Sequence, residues 1–366
     1  MNSRLLRSAP ALLTIGIVAA AAPASADDVD TCRNSARVDD AIAACSRLIG
    51  EKSDDANYFY DRGNAYKNNR ARDRALADFD QAIKLRPNFA AAYVNRGEIY
   101  TGKGDLDRAL ADGDQAIKLD PDDPTAYHVR GDVYSRRRDY DRAIADYDQV
   151  IKLNPNDVSA YNKRGSAYSW KAEDTDSRKG DHDGAMPDYD RAIADYNQVI
   201  KLAPNYAVAY DNRGHAYFRK GDYDRAIADY DQEIKLTPNY APAYDHRGLA
   251  YDQKGDHDRA LADWDQAIKF YDQAIKLNPK NAAAFTYRSI LYKEKGDYDR
   301  VIADADHLIK LDPNYAGAYH IRGEAYEAKR DYTRALTDFE MALKLEPRAE
   351  VARRSIERLK FLGVER

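Results

Sequence analysis

Residues 209–239 read A-Y-D-N-R-G-H-A-Y, then F-R-K-G-D-Y, then D-R-A-I-A-D-Y-D-Q-E-I-K-L-T-P-N. Close variants of this sentence return from Ala56 to about Arg348 on a thirty-four-residue beat, eight copies in all, with the beat stretched twice. A unit repeated end to end stacks on its neighbours as a solenoid instead of closing into a globule, so the period predicts an all-α fold. In the first copy Phe59, Gly63 and Tyr66 stand four and three residues apart and share one helix face, where the glycine permits close approach. A second stripe follows in Ala75, Phe79, Ala82 and Ile83. Residues 67–73 between them have no apolar period, and later copies carry Lys-Gly-Asp there, a helix stop followed by a helix start. Each unit is therefore a helical hairpin. Its second helix is closed by Pro87, Pro121, Pro155, Pro204, Pro238, Pro279, Pro313 or Pro347, because proline lacks the amide a continuing helix needs.

The pattern resembles the tetratricopeptide repeat: an aromatic, Gly and Tyr on the first helix, then Ala, an aromatic and Ala on the second, then Pro. The resemblance implies a right-handed superhelical solenoid of helical hairpins with terminal capping helices, whose concave groove holds an extended peptide or a partner helix. It departs from the family at Gly113, which replaces an aromatic, and at Ser289, Val301 and Ala305 in copy seven, where looser joints are expected. Copy six carries a near duplication, residues 265–271 followed by 272–277, which lengthens the second helix by seven residues. Seven residues fall within about 20° of two turns, so the stripe keeps its face while the helix gains about 10 Å and is expected to project beyond the stack. Copy four repeats this with Ala185, Tyr189, Ala192 and Tyr196, after a polar stretch at 173–180 read as a solvated loop.

Residues 1–26 hold Arg4 and Arg7, an apolar run and Ala24-Ser25-Ala26, the layout of a cleavable secretory signal. Residues 27–55 form a partial repeat, 56–347 the eight units, and 348–366 an amphipathic closing helix with Val351, Ile356, Leu359 and Leu362 inward. The only two cysteines, Cys32 and Cys45, fall one period before Tyr66 and Phe79, positions that face each other within a hairpin; in an exported chain they are expected to form a disulfide. Without the two leader arginines the basic residues drop from 57 to 55 against 62 acidic ones, and the formal charge goes from −5 to −7. No basic face exists for a phosphate backbone, so nucleic acid is not an expected partner, and no second apolar segment follows to span a membrane.

Comparing copies separates scaffold from surface. Arg62, Arg96, Arg130, Arg164, Arg213, Arg247, Arg288 and Arg322 precede the glycine position, while Asp78, Asp112, Asp146, Asp195, Asp229, Asp263, Asp304 and Asp338 precede the second-helix aromatic position. A structural ladder of Arg–Asp pairs is the simplest account. First-helix positions that vary are the groove candidates implied by the resemblance. They are Asn64, Glu98, His128, Asp132, Arg136, Asn162, Ser166, Trp170, Asp211, His215, Phe218, Arg219, Asp245 and Asp252. Trp170, His215, Phe218 and Arg219 supply the side-chain types that dominate binding energies. The lysine ladder that grips a C-terminal carboxylate in the co-chaperone branch is missing.

No phosphate loop, no G-x-S-x-G and no H-E-x-x-H occurs, and the seven histidines are scattered, so neither a metal nor a cofactor is expected. Asp174-Thr175-Asp176 and the acids around Gly184 fail the calcium-loop pattern. The reading is a periplasmic or secreted scaffold or adaptor, not an enzyme, that binds a protein or peptide. The alternative is an enzyme or accessory factor of envelope polysaccharide or cell-wall metabolism.

Overall fold

The computed structural model describes residues 25–363, and the signal segment read over residues 1–26 lies outside them apart from its last two residues. Nineteen helices and no strand occur among the described residues. α1 (Ala26–Asn34) and α2 (Val38–Glu51) form an amino-terminal hairpin ahead of the eight numbered copies. Three more complete one compact unit that closes at Asn154: α3 (Ala56–Asn68) with α4 (Arg72–Leu85), α5 (Ala90–Lys103) with α6 (Leu106–Leu119), and α7 (Pro124–Arg136) with α8 (Tyr140–Leu153). A second unit opens at Pro155. It holds α9 (Val158–Lys179) with α10 (His182–Leu202), α11 (Ala207–Arg219) with α12 (Tyr223–Leu236), and α13 (Ala241–Gln253) with α14 (His257–Leu277). α15 (Ala282–Glu294) with α16 (Tyr298–Leu311), α17 (Ala316–Ala328) with α18 (Tyr332–Leu345), and α19 (Glu350–Phe361) complete it.

Close packing explains the invariant positions. A Cβ added at Gly214 would stand 2.8 Å from the ring of Tyr230, which is 1% exposed, so only a hydrogen fits where α11 meets α12. Where copy seven has Ser289 opposite Ala305, both are fully buried with Val301, and the Ser289 hydroxyl donates to Thr286 O at 2.7 Å. The looser joint expected there is absent, because the larger first-helix residue fills the space its smaller partner vacates. At the hairpin turns the chain enters the left-handed region, at Gly221 and Gly296 without strain but at Arg70 and Arg330 (φ 58° and 63°) with a Cβ that disfavours it. Asp222, Asp256 and Asp331 cap the helices that follow, accepting from backbone amides three residues on.

The ladder residues meet in eight two-pronged pairs: Arg62 with Asp78, Arg96 with Asp112, Arg130 with Asp146, Arg164 with Asp195, Arg213 with Asp229, Arg247 with Asp263, Arg288 with Asp304, and Arg322 with Asp338. In each, Nε and Nη2 donate to the two carboxylate oxygens at 2.5–2.9 Å. The aspartates are buried. Burial pushes Asp112, Asp146, Asp229 and Asp304 upward, and the guanidinium forks pull against it. The remaining Nη1 reaches back to the second helix of the preceding hairpin, from Arg96 to Asp80, Arg130 to Asp114, Arg213 to Asn197, Arg247 to Asp231, Arg288 to Asp272 and Arg322 to Asp306. One guanidinium thus ties its own hairpin shut and fastens it to the one before, a contact the sequence reading omits.

The two seven-residue insertions act differently. In α14 the first turns serve α13, through Arg247 and Asp263. The next hairpin takes Asp265 with Lys295 and Asp272 with Arg288, each seven residues beyond the equivalent carboxylate of the unlengthened α12, Asp224 with Lys254 and Asp231 with Arg247. The seventh hairpin is therefore docked two turns farther along α14. The extension does not project freely as expected: Tyr271 is buried and stacks on Tyr287 at 5.8 Å, and Phe270 packs on Tyr244 at 5.6 Å. Of its apolar residues only the terminal Leu277 stands in solvent. In the fourth hairpin the lengthening lies at the turn, and residues 173–179, read as a solvated loop, continue α9 as helix. The apolar stripe of the longer α10 needs a cover, and Ala172 packs with Ala185, Tyr189 and Ile193 to supply it.

Cys32 and Cys45 are joined by a disulfide across α1 and α2, buried with Ala44, Leu48 and Tyr58. At the other end α19 buries Ala352, Ser355, Ile356 and Leu359 against Leu336 and Phe339. Val351 and Leu362, assigned to that face from the sequence, are exposed, because the helix presents the register of Ala352 and Ser355 instead.

Candidate functional site

In the first unit the varied first-helix residues contact one another from hairpin to hairpin. Asn64 accepts from Asn95 at 3.0 Å, and Glu98 holds Lys67 at 2.8 Å. Asp132 accepts from the Tyr147 hydroxyl at 2.8 Å, whose ring lies 6.1 Å from that of His128. Arg136 is exposed at the end of α7.

In the second unit the same positions form a denser cluster. Asn162 accepts from Asn212 at 3.2 Å, and the Ser166 hydroxyl accepts from Tyr196 at 3.3 Å, whose own proton burial holds up to about 12. Trp170 keeps 47% of its surface in solvent. The other three expected anchors are engaged within the chain, His215 and Arg219 by carboxylates of the prolonged α9 and Phe218 by α12. Glu173 stands 3.6 Å from His215, and Asp176 takes Arg219 at 3.1 Å while Arg219 also donates to the Tyr189 hydroxyl. Phe218 sets its edge on Tyr223 and is half-buried. Asp176 also lies 3.4 Å from His182, and Asp181 caps α10, so the acids of the failed calcium pattern have structural uses. Asp252 accepts from His257 at the α13–α14 turn, away from the rest.

Asp211, on α11, meets two residues the sequence reading did not single out. His246, on α13, donates from Nδ1 to Asp211 at 2.8 Å. Glu233, on α12, is 2% exposed and lies beside them. Burial, then the nearby Asp211 carboxylate, pushes the Glu233 carboxyl up to about 8. Burial, the largest single influence, opposes a charge on His246, but the hydrogen bond to Asp211 together with the charges of Asp211, Asp245 and Glu233 outweighs it and raises this imidazole; burial lowers His215. The signal was available: Glu233 interrupts an apolar stripe held in every other copy by Ala, Val or Leu.

Next to this cluster a cleft of about 580 Å³ opens among α13, α14 and α15. Tyr240, Phe270, Tyr271 and Tyr287 wall it, with Asp245 and His246 as its ionisable groups. Burial pushes the Asp245 carboxyl up. Tyr240 and Tyr287 keep 48% and 50% of their surface exposed at its lip. The cleft is a consequence of the seven-residue step in α14, which brings Phe270 and Tyr271 to the level of Tyr287. Among the described residues no helix is long and apolar enough to cross a membrane.

Tetratricopeptide-repeat profiles match residues 60–124, 113–145, 131–169, 187–221, 214–255, 270–303 and 316–349. None of the curated proteins matches the chain. Among solved structures, a tetratricopeptide repeat protein from Parabacteroides merdae superposes with a TM-score of 0.54 at 20% identity, over 74% of this chain and 98% of its own. MamA is 27% identical over 49% of this chain and 96% of its own, with a TM-score of 0.43. YrrB, described as a TPR protein with an unusual peptide-binding site, is 22% identical over 55% of this chain and 95% of its own, with a TM-score of 0.44. With eight hairpins of one pattern and profile matches along most of their length, the chain is a tetratricopeptide-repeat protein, of a family whose scaffolds generally bind proteins and peptides.

Proposed function

We propose that this protein is a non-catalytic interaction scaffold, exported after cleavage behind Ala26 to the periplasm or the medium, that holds an extended peptide or a partner helix on the first-helix face of its second unit. The aromatic-walled cleft at the α14 step carries the reading. Half-exposed tyrosines over an apolar floor provide rigid anchoring area at low entropic cost, and Asp245 and His246 can fix the polar backbone of a bound segment. Exposed Trp170 and Ile290 add apolar area on the same series of helices. The buried disulfide at the amino end supports export, since such bonds persist in oxidising compartments.

The test is selection of peptides from a displayed random library on the purified chain, followed by affinity measurement on Tyr240→Ser and Tyr287→Ser variants. Selected peptides should carry apolar anchors and lose at least about tenfold in affinity on each variant. An empty selection, or peptides indifferent to both substitutions, defeats the reading.

A further inference from the structure

Three successive helices of the second unit, α11, α12 and α13, each contribute one potential ligand to a single point. A carboxylate oxygen of Asp211, a carboxylate oxygen of Glu233 and a ring nitrogen of His246 lie within 4.8 Å of one another. Two facts set this apart from an ordinary acidic cluster. Glu233 is 2% exposed, and its Oε2 has no hydrogen-bond partner, so a polar atom has been taken out of water and aimed at the other two groups with nothing to receive it. It also occupies the position filled by Ala82, Ala116, Val150, Val199, Ala267, Leu308 and Ala342 in the other hairpins, where packing alone asks for an apolar side chain.

We propose that Asp211, Glu233 and His246 form a binding site for a divalent transition-metal ion of the zinc class. One imidazole and two carboxylates suit such an ion, whereas calcium takes six or more oxygens. Ligands about 2.1 Å from a tetrahedral centre stand about 3.4 Å apart, so the Asp211–His246 pair opens slightly from 2.8 Å and Glu233 swings to meet it. The ion takes the place of the proton that His246 Nδ1 shares with Asp211, leaving a neutral ring with its proton on Nε2, and it displaces the proton that burial keeps on the Glu233 carboxyl; the displaced protons leave to solvent. The Tyr230 ring, 5.6 Å from the His246 ring and almost fully buried, closes one side. Three protein ligands leave a coordination position for water or for a donor from a bound partner, and His246 also lines the cleft. The site stands whether or not a peptide occupies that cleft.

The experiment uses the purified chain stripped with EDTA. Zn²⁺ is followed by calorimetry and Co²⁺ by its visible spectrum, on the parent and on Glu233→Ala and His246→Asn. Each variant carries a residue that other hairpins hold at the same position, Ala82 and Ala116 for the first, Asn95 and Asn212 for the second. The parent should bind one Zn²⁺ and give the intense Co²⁺ bands of a four- or five-coordinate site. Each variant should bind at least about tenfold more weakly, with Ca²⁺ failing to compete. No saturable single-equivalent binding, or equal affinity in parent and variants, overturns the proposal. So does a parent Co²⁺ spectrum with only the weak bands of a six-coordinate hydrated ion, which decides the matter even if a variant loses its helicity.

Discussion

The Arg213–Asp229 pair offers a direct measure of what holds the hairpins shut. Asp229 is 4% exposed, and the Arg213 side chain is 19% exposed, with Nε and Nη2 at 2.8 and 2.5 Å from the carboxylate and Nη1 on Asn197. Arg213→Met leaves a buried carboxylate without its counter-charge, a loss of about 3–5 kcal/mol. Asp229→Leu leaves an arginine that retains Asn197 and can turn its head to water, a loss of about 1–3 kcal/mol. The double variant removes both charges together and should lose only about 1–2 kcal/mol, giving a coupling of about 4–5 kcal/mol between the sites. Repeat arrays depart from all-or-none unfolding, so the readout is the opening free energy of α11 and α12 amides by hydrogen exchange. The pH dependence carries a second signature. In Arg213→Met the Asp229 carboxyl has a folded pKa above its unfolded 3.8, because burial raises it and the fork is gone. The folded state then binds more protons at this site, so the unpaired carboxyl costs the variant least at low pH and progressively more as pH rises through that window. The double variant should show no such slope. Additivity of the single losses within about 0.5 kcal/mol would refute the pairing.

Removing the disulfide by Cys32→Ser with Cys45→Ser should lower the stability of the α1–α2 hairpin by about 3 kcal/mol from loop-closure entropy, seen as lost exchange protection confined to residues 26–58. Arg330→Gly relieves a left-handed residue at the α17–α18 turn and should raise the thermal midpoint by an amount equivalent to about 1 kcal/mol, while Gly296→Arg should lower it. Glu324 is held down to about 2 first by the His320 imidazole 3.6 Å away and then by the Lys293 ammonium, which donates to it at 2.8 Å, against an unfolded value of 4.5. Its stabilisation, about 1–2 kcal/mol after screening, is present above pH 4.5 and lost as pH falls toward 2. Wild type and Glu324→Gln should therefore differ in urea midpoint at pH 6 and converge near pH 2.

Packing demands recur in every copy, so comparison within the chain reveals them: the Gly214–Tyr230 contact and the Arg–Asp pairs are consequences of positions that hardly vary. What escaped was long-range or aperiodic. The third donor of Arg96, Arg130, Arg213, Arg247, Arg288 and Arg322 reaches a neighbouring hairpin, and nothing at Arg96 itself announces Asp80. Residues 173–179 are charged, which argues for a loop, yet they contain no Gly or Pro before Gly180 and could have been read as helix. The helix found there sets Glu173 and Asp176 against His215 and Arg219, which their first-helix positions alone would leave in an open groove. The cleft follows from the duplication in α14, which fixes helix length but not which neighbour uses the added turns. Glu233 was visible to the same comparison of copies, as a charge in an apolar stripe.

The claim that the first-helix face of the second unit receives a partner is tested most directly by mapping a selected peptide on the isotopically labelled chain through amide and methyl shift changes. Changes should concentrate on Tyr240, Asp245, Ala274, Ala283 and Tyr287 around the cleft. Changes centred on exposed second-helix residues such as Gln232 and Lys235, with the cleft silent, would contradict it.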